Sequence, residues 1–72
     1  MVKPGEFYAH YKDPNHKYKI VALAKHSETL EDMVVYEMLY DSQDFPKGTI
    51  WVRPLKMFES RIDGKPRFSR IG

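Results

Sequence analysis

Residues 25–40 read KHSETLEDMVVYEMLY, and their second half holds the most regular apolar alternation in the chain. Val34, Tyr36, Met38 and Tyr40 fall on one side of an extended backbone, and Met33, Val35, Glu37 and Leu39 on the other. That period of two is the mark of a strand. A helix is the competing reading, with Thr29 as N-cap and Leu30, Met33, Val34 and Met38 as its apolar stripe. Glu37 and Asp41 interrupt that stripe, whereas the alternation runs unbroken to Tyr40, so the strand is preferred. Just before it, His26-Ser27-Glu28-Thr29 brings an imidazole, two hydroxyls and a carboxylate together beside a core element.

Downstream, a polar loop over residues 41–48 leads into Thr49-Ile50-Trp51-Val52-Arg53, rich in β-branched and aromatic residues and stopped by Pro54. These two strands are expected to form an antiparallel hairpin. Leu55-Lys56-Met57-Phe58 then has room for one turn of tight helix, with Leu55 and Phe58 placed to plug one end of a small barrel. The last unit carries Asp63-Gly64. A three-residue loop of Ile62-Asp63-Gly64, with Gly64 left-handed, sets Phe58 opposite Phe68 and Glu59 opposite Arg67; these pairs favour it over a two-residue loop.

Upstream, residues 2–5 are a lead-in punctuated by Pro4 and Gly5. A first strand alternates from Phe7 and ends at the turn signal Asp13-Pro14-Asn15. A second strand spans residues 17–25, and its centre, Ile20-Val21-Ala22-Leu23-Ala24, is apolar on both faces, as for a central strand covered from both sides. Five to six short antiparallel strands without a long helix define an all-β class. A small, partly open SH3-like barrel is expected, because curling the sheet lets a short chain cover its own edges.

The chain has 72 residues, which fits one domain over residues 1–72. With 42% hydrophobic and 31% charged residues it is composed like a folded domain rather than a disordered one. There is no cysteine, which rules out disulfides and thiolate zinc sites and fits a reducing compartment. No apolar run approaches the roughly 20 residues of a membrane helix, and the N-terminus lacks the apolar core of a signal peptide. A cytoplasmic protein with no membrane partner is expected. The formal net charge of +2 conceals segregation: residues 1–25 carry five basic and two acidic side chains, residues 26–46 six acidic and none basic, and residues 47–72 seven basic and two acidic. The acidic middle is expected to lie against the basic flanks, unless the two basic segments share a face and form a nucleic-acid footprint.

Four segments together carry a family resemblance: HYK at 10–12, AKHSETLEDMVVYEMLY at 24–40, WVRPLKMF at 51–58 and DGKPRF at 63–68. They resemble a small bacterial family catalogued as a domain of unknown function, number 1653 in its series. The resemblance covers nearly the whole chain. It implies no activity, substrate or catalytic residue.

The chemistry must therefore be read from the residues. His26 and Glu28 form an H-x-E arrangement, but zinc deaminases pair it with P-C-x-x-C, which this chain lacks. Three widely spaced histidines also lack zinc-site spacing, so no metal and no cofactor are expected. Ser27 has no nucleophile elbow, and on an extended chain its side chain points away from that of His26. The bland alternative is that Ser27 or Thr29 ties a turn through backbone hydrogen bonds. Trp51 and Arg53, two apart on a strand, share one face and can address a flat or anionic group together, with Tyr36 or Tyr40 beside them. Equally, a lone tryptophan can be core, with Arg53 paired to an acid of the middle segment. The leading reading is a binding module with a groove formed by His26, Glu28, Tyr36, Trp51 and Arg53. Its expected ligand is single-stranded nucleic acid, a nucleotide-like or other small anionic molecule, or a peptide. The alternatives are a small hydrolase in which His26 acts as general base oriented by Glu28, and a protein-interaction domain without a pocket.

Overall fold

The computed structural model describes residues 2–72. Its elements in chain order are β1 (Phe7–His10), β2 (Asp13–Lys25), β3 (Asp32–Met38), β4 (Ile50–Pro54), α1 (Leu55–Phe58), β5 (Arg61–Ile62), β6 (Lys65–Pro66) and β7 (Phe68–Arg70). Five strands form one antiparallel sheet in the order β4-β3-β2-β1-β7, and β5 and β6 make a separate short hairpin. The large sheet does not close on itself: β4 and β7 are its edges. This is the small, partly open all-β architecture that the alternation predicts.

Residues 32–38 are a strand, with Val34, Tyr36 and Met38 buried. β3 and β4 pair antiparallel with Tyr36 opposite Trp51 and Val34 opposite Arg53, so Trp51 and Arg53 do share a face. α1 is the single helical turn expected, and Phe58 at its end is buried in the core with Leu55 packed at the margin. The core also holds Val2, Tyr18, Ile20, Val34, Tyr36, Met38 and Phe68. Val2 belongs to the segment read as a lead-in. Gly5, at a φ of 88°, donates its N–H to the Ile20 carbonyl at 2.9 Å and ties that segment to β2.

Three local expectations are corrected. The first turn is Tyr11-Lys12, not Asp13-Pro14-Asn15, because His10 pairs with Asp13 while Ala9 pairs with Lys17. Asp13 does accept from the Asn15 N–H at 2.9 Å, but this side-chain turn is absorbed as a bulge inside β2. β2 is central in the sheet but not covered on both sides: Ile20 is buried, whereas Val21 and Leu23 are well exposed. A register shift between Ile20 and Ala22 breaks its alternation, which blurs the two faces in the sequence. The last hairpin has the two-residue loop Asp63-Gly64, with Arg61 opposite Pro66 and Ile62 opposite Lys65. Both loop residues have positive φ, 50° and 79°, as a type I′ turn requires. The three-residue reading assumed a ladder reaching back to Phe58. Phe58 instead ends α1 and meets Phe68 as a stacked ring at 4.2 Å, a contact between elements rather than across a ladder.

Candidate functional site

Each strand of the large sheet sends a side chain to one cavity of about 180 Å³. Its lining is His10 from β1, Tyr18 from β2, Tyr36 from β3, Trp51 and Arg53 from β4, and Phe68 from β7. The pairing explains the convergence: His10 lies opposite Phe68 and Tyr36 opposite Trp51, so the inward positions of five strands meet on one side of the sheet.

The rings brace one another edge to face. Tyr18 meets Tyr36 at 5.3 Å and Phe68 at 5.7 Å, and His10 meets Phe68 at 5.2 Å. Such geometry matches the positive ring edge to the negative ring face and holds the walls in fixed orientations. Trp51 is half-buried, donates its indole N–H toward Met38 Sδ at 3.5 Å and packs edge-on against Phe45. Trp51 thus packs against the margin of the core while forming a wall of the cavity.

Among the described residues, Arg53 supplies the only formal charge in the lining. Its Nε donates to the Tyr36 hydroxyl at 3.3 Å, and its guanidinium carbon lies 5.6 Å from the centre of the Phe68 ring. Among the described residues, no carboxylate lines the cavity and no ion pair involves Arg53. The acid pairing that the alternative reading gave it is therefore absent from the described residues. Because Nε takes only one of five guanidinium donors, the terminal nitrogens keep hydrogen-bonding capacity for an anionic or carbonyl group.

His10 accepts the Lys12 backbone N–H at Nδ1, 3.2 Å away, which leaves its proton on Nε2. Burial holds its pKa below the ordinary histidine value, helped by the positive charges of Arg53, Lys12, Arg67 and His16. The imidazole is consequently a neutral donor at pH 7. Burial, the hydrogen bond with Tyr40 at 2.5 Å and the neighbouring tyrosines raise the Tyr18 pKa strongly, so this wall is an un-ionised phenol.

The structure brings Tyr36, Trp51 and Arg53 together and leaves His26 and Glu28 outside the cavity. Those two sit in the turn between β2 and β3, where Glu28 is exposed. His26 Nδ1 accepts the backbone N–H groups of Glu28 at 3.1 Å and Thr29 at 3.3 Å, so the nitrogen that a general base would use is engaged in holding the turn. Thr29 ties the same turn by accepting from the Glu31 N–H at 3.2 Å. Among the described residues no cluster of three or more His, Cys, Asp or Glu side chains is arranged to hold a metal. The sequence reading missed His10, Tyr18 and Phe68 as wall residues. Their signal was the same spacing of two that marks Trp51 and Arg53, but which strands lie side by side is a matter of topology.

Fold and site together define a small all-β domain with one aromatic, arginine-bearing cavity on the inner side of an open sheet. The chain belongs to DUF1653, described as "Protein of unknown function", whose family model matches residues 6–70. No curated protein and no solved structure matches it. Among the described residues no helix is long and apolar enough to cross a membrane.

Proposed function

We propose that this protein is a binding module whose cavity takes up one flat ring of an anionic ligand, with single-stranded nucleic acid as the ligand class. One observation carries the reading: five strands converge on a cavity lined by aromatic rings, His10 and Arg53, with no carboxylate. At about 180 Å³ the space is on the scale of one planar ring, since an apolar cavity of about 150 Å³ accepts benzene. The rings supply stacking surface, Arg53 meets a phosphate or a ring carbonyl, and neutral His10 donates to an acceptor on the ring edge. Lys12 and Arg67, whose charges act on His10, give the surroundings the sign that attracts a polyanion. A chain with one such pocket holds one base firmly and its neighbours by charge, which predicts modest affinity that falls with salt.

Trp51 is the only tryptophan, so its fluorescence reports on the cavity directly. Titration with short single-stranded RNA and DNA at two salt concentrations should change that emission, with weaker binding at the higher salt. Arg53→Ala should lower affinity and flatten the salt dependence. Trp51→Ala, followed by calorimetry, should weaken binding by about 1–3 kcal/mol, the contribution of one base–aromatic stack. Absence of binding to either strand at low salt would overturn the nucleic-acid reading.

A further inference from the structure

A second concavity, about 540 Å³ in volume, lies between the β2–β3 turn and α1, away from the aromatic cavity. It is formed by residues 29–32 on one side and Leu55, Lys56 and Glu59 on the other. We propose that this groove docks a basic peptide segment that inserts one apolar side chain between Leu30 and Leu55.

The turn is built to present Leu30. Its backbone is fixed at both ends: Leu30 N–H donates to the His26 carbonyl at 2.8 Å and His26 N–H to the Glu31 carbonyl at 2.9 Å. The His26 imidazole and the Thr29 hydroxyl capture three further N–H groups, those of Glu28, Thr29 and Glu31. Exposure of Leu30 is thus not fraying. It sits at a φ of 62°, a left-handed conformation that is sterically costly for a residue with a large side chain, and it is 69% exposed. A turn shaped for stability alone would carry glycine or asparagine there. The polar cluster at 26–29 instead holds an apolar side chain in water beside a groove.

The groove's charge identifies the occupant. Glu31, Asp32 and Glu59 line it against Lys56 alone. Asp32 is engaged by Lys25 at 2.6 Å, whereas Glu31 and Glu59 form no ion pair among the described residues. Two uncommitted carboxylates beside a leucine pair select lysine or arginine flanking an apolar anchor, and they repel the polyanion that suits the other cavity.

The test is an amide chemical-shift titration of the isotope-labelled full chain. Its probe is an acetylated, amidated pentapeptide with one leucine between two pairs of lysines, and its control is the same peptide with glutamates for lysines. Shifts confined to residues 29–32, Leu55, Lys56 and Glu59 with the lysine peptide, and none with the control, support the proposal. Glu31→Gln combined with Glu59→Gln should weaken binding at least about tenfold. Leu30→Gly suits the left-handed backbone, so it should abolish the shifts while the melting temperature holds or rises. A lowered melting temperature would make Leu30 a folding residue and overturn the proposal. It is equally overturned by an absence of shifts, by shifts with both peptides, or by concentration-dependent self-association through the same residues.

Discussion

His10 carries a testable consequence of the cavity on its own ionisation. Its pKa is depressed by burial first and then by the charges of Arg53, Lys12, Arg67 and His16. The unfolded chain, with an ordinary histidine there, binds a proton more readily than the folded one. Stability from this residue is therefore fully present above the unfolded pKa of roughly 6.5 and is lost as pH falls toward the folded value. The protein should lose stability on acidification below neutrality, and His10→Gln should flatten that part of the pH–stability curve in denaturant titrations. Nuclear magnetic resonance of the imidazole should give a midpoint below that of a free histidine; a midpoint above it would mean that a nearby anion outweighs burial and the cations. At this scale the sequence was legible where one strand carried the argument: Trp51 and Arg53 share a face because they are two apart. It was not legible for His10, Tyr18 and Phe68, which meet those two only through the order of the strands. Nor was it legible for His26, whose Nδ1 is taken up by two backbone N–H groups, a fate that depends on local turn geometry.

Among the elements, β3 was the most legible, because an unbroken alternation over a sheet with one buried face leaves a single register. β2 was the least, since its bulges shift the faces twice and make an exposed stretch resemble a buried one. The β5–β6 hairpin lies between: Gly64 is left-handed as expected, but the loop has two residues, and its register comes from Asp63-Gly64 rather than from distant side-chain pairs. Added bulk at Gly64 would meet nothing, so the cost of a substitution there is purely conformational. Gly64→Ala should destabilise by about 1 kcal/mol through its positive φ of 79°. Asp63→Gly, at the other positive φ, should be near neutral. Thermal melts of the two variants measure this, and equal losses would mean that the Asp63 side chain, not the backbone, secures the turn.

The whole molecule is organised around Phe58. Its ring meets Tyr8 at 5.3 Å, Tyr36 at 5.4 Å and Phe68 at 4.2 Å, so one side chain from the only helix in the described residues joins β1, β3 and β7. The open sheet has no closing ladder between β4 and β7, and this aromatic stack instead packs the β7 edge against β1 and β3. A chain of 72 residues has few buried side chains with which to compensate for a loss there. Phe58→Ala should therefore cost about 3–5 kcal/mol, a large share of the roughly 5–15 kcal/mol that stabilises a folded domain. Phe45 is the control: it is also a phenylalanine with an aromatic neighbour, Trp51 at 4.8 Å, but it lies in a loop and is 44% exposed. Phe45→Ala should cost only the edge-to-face pair and part of its burial, about 0.5–1.5 kcal/mol. Urea denaturation of the two variants separates the cases, because Phe58→Ala should move the midpoint several times further. Similar shifts would mean that the sheet keeps its curl without the aromatic stack, and that the cavity walls do not depend on α1.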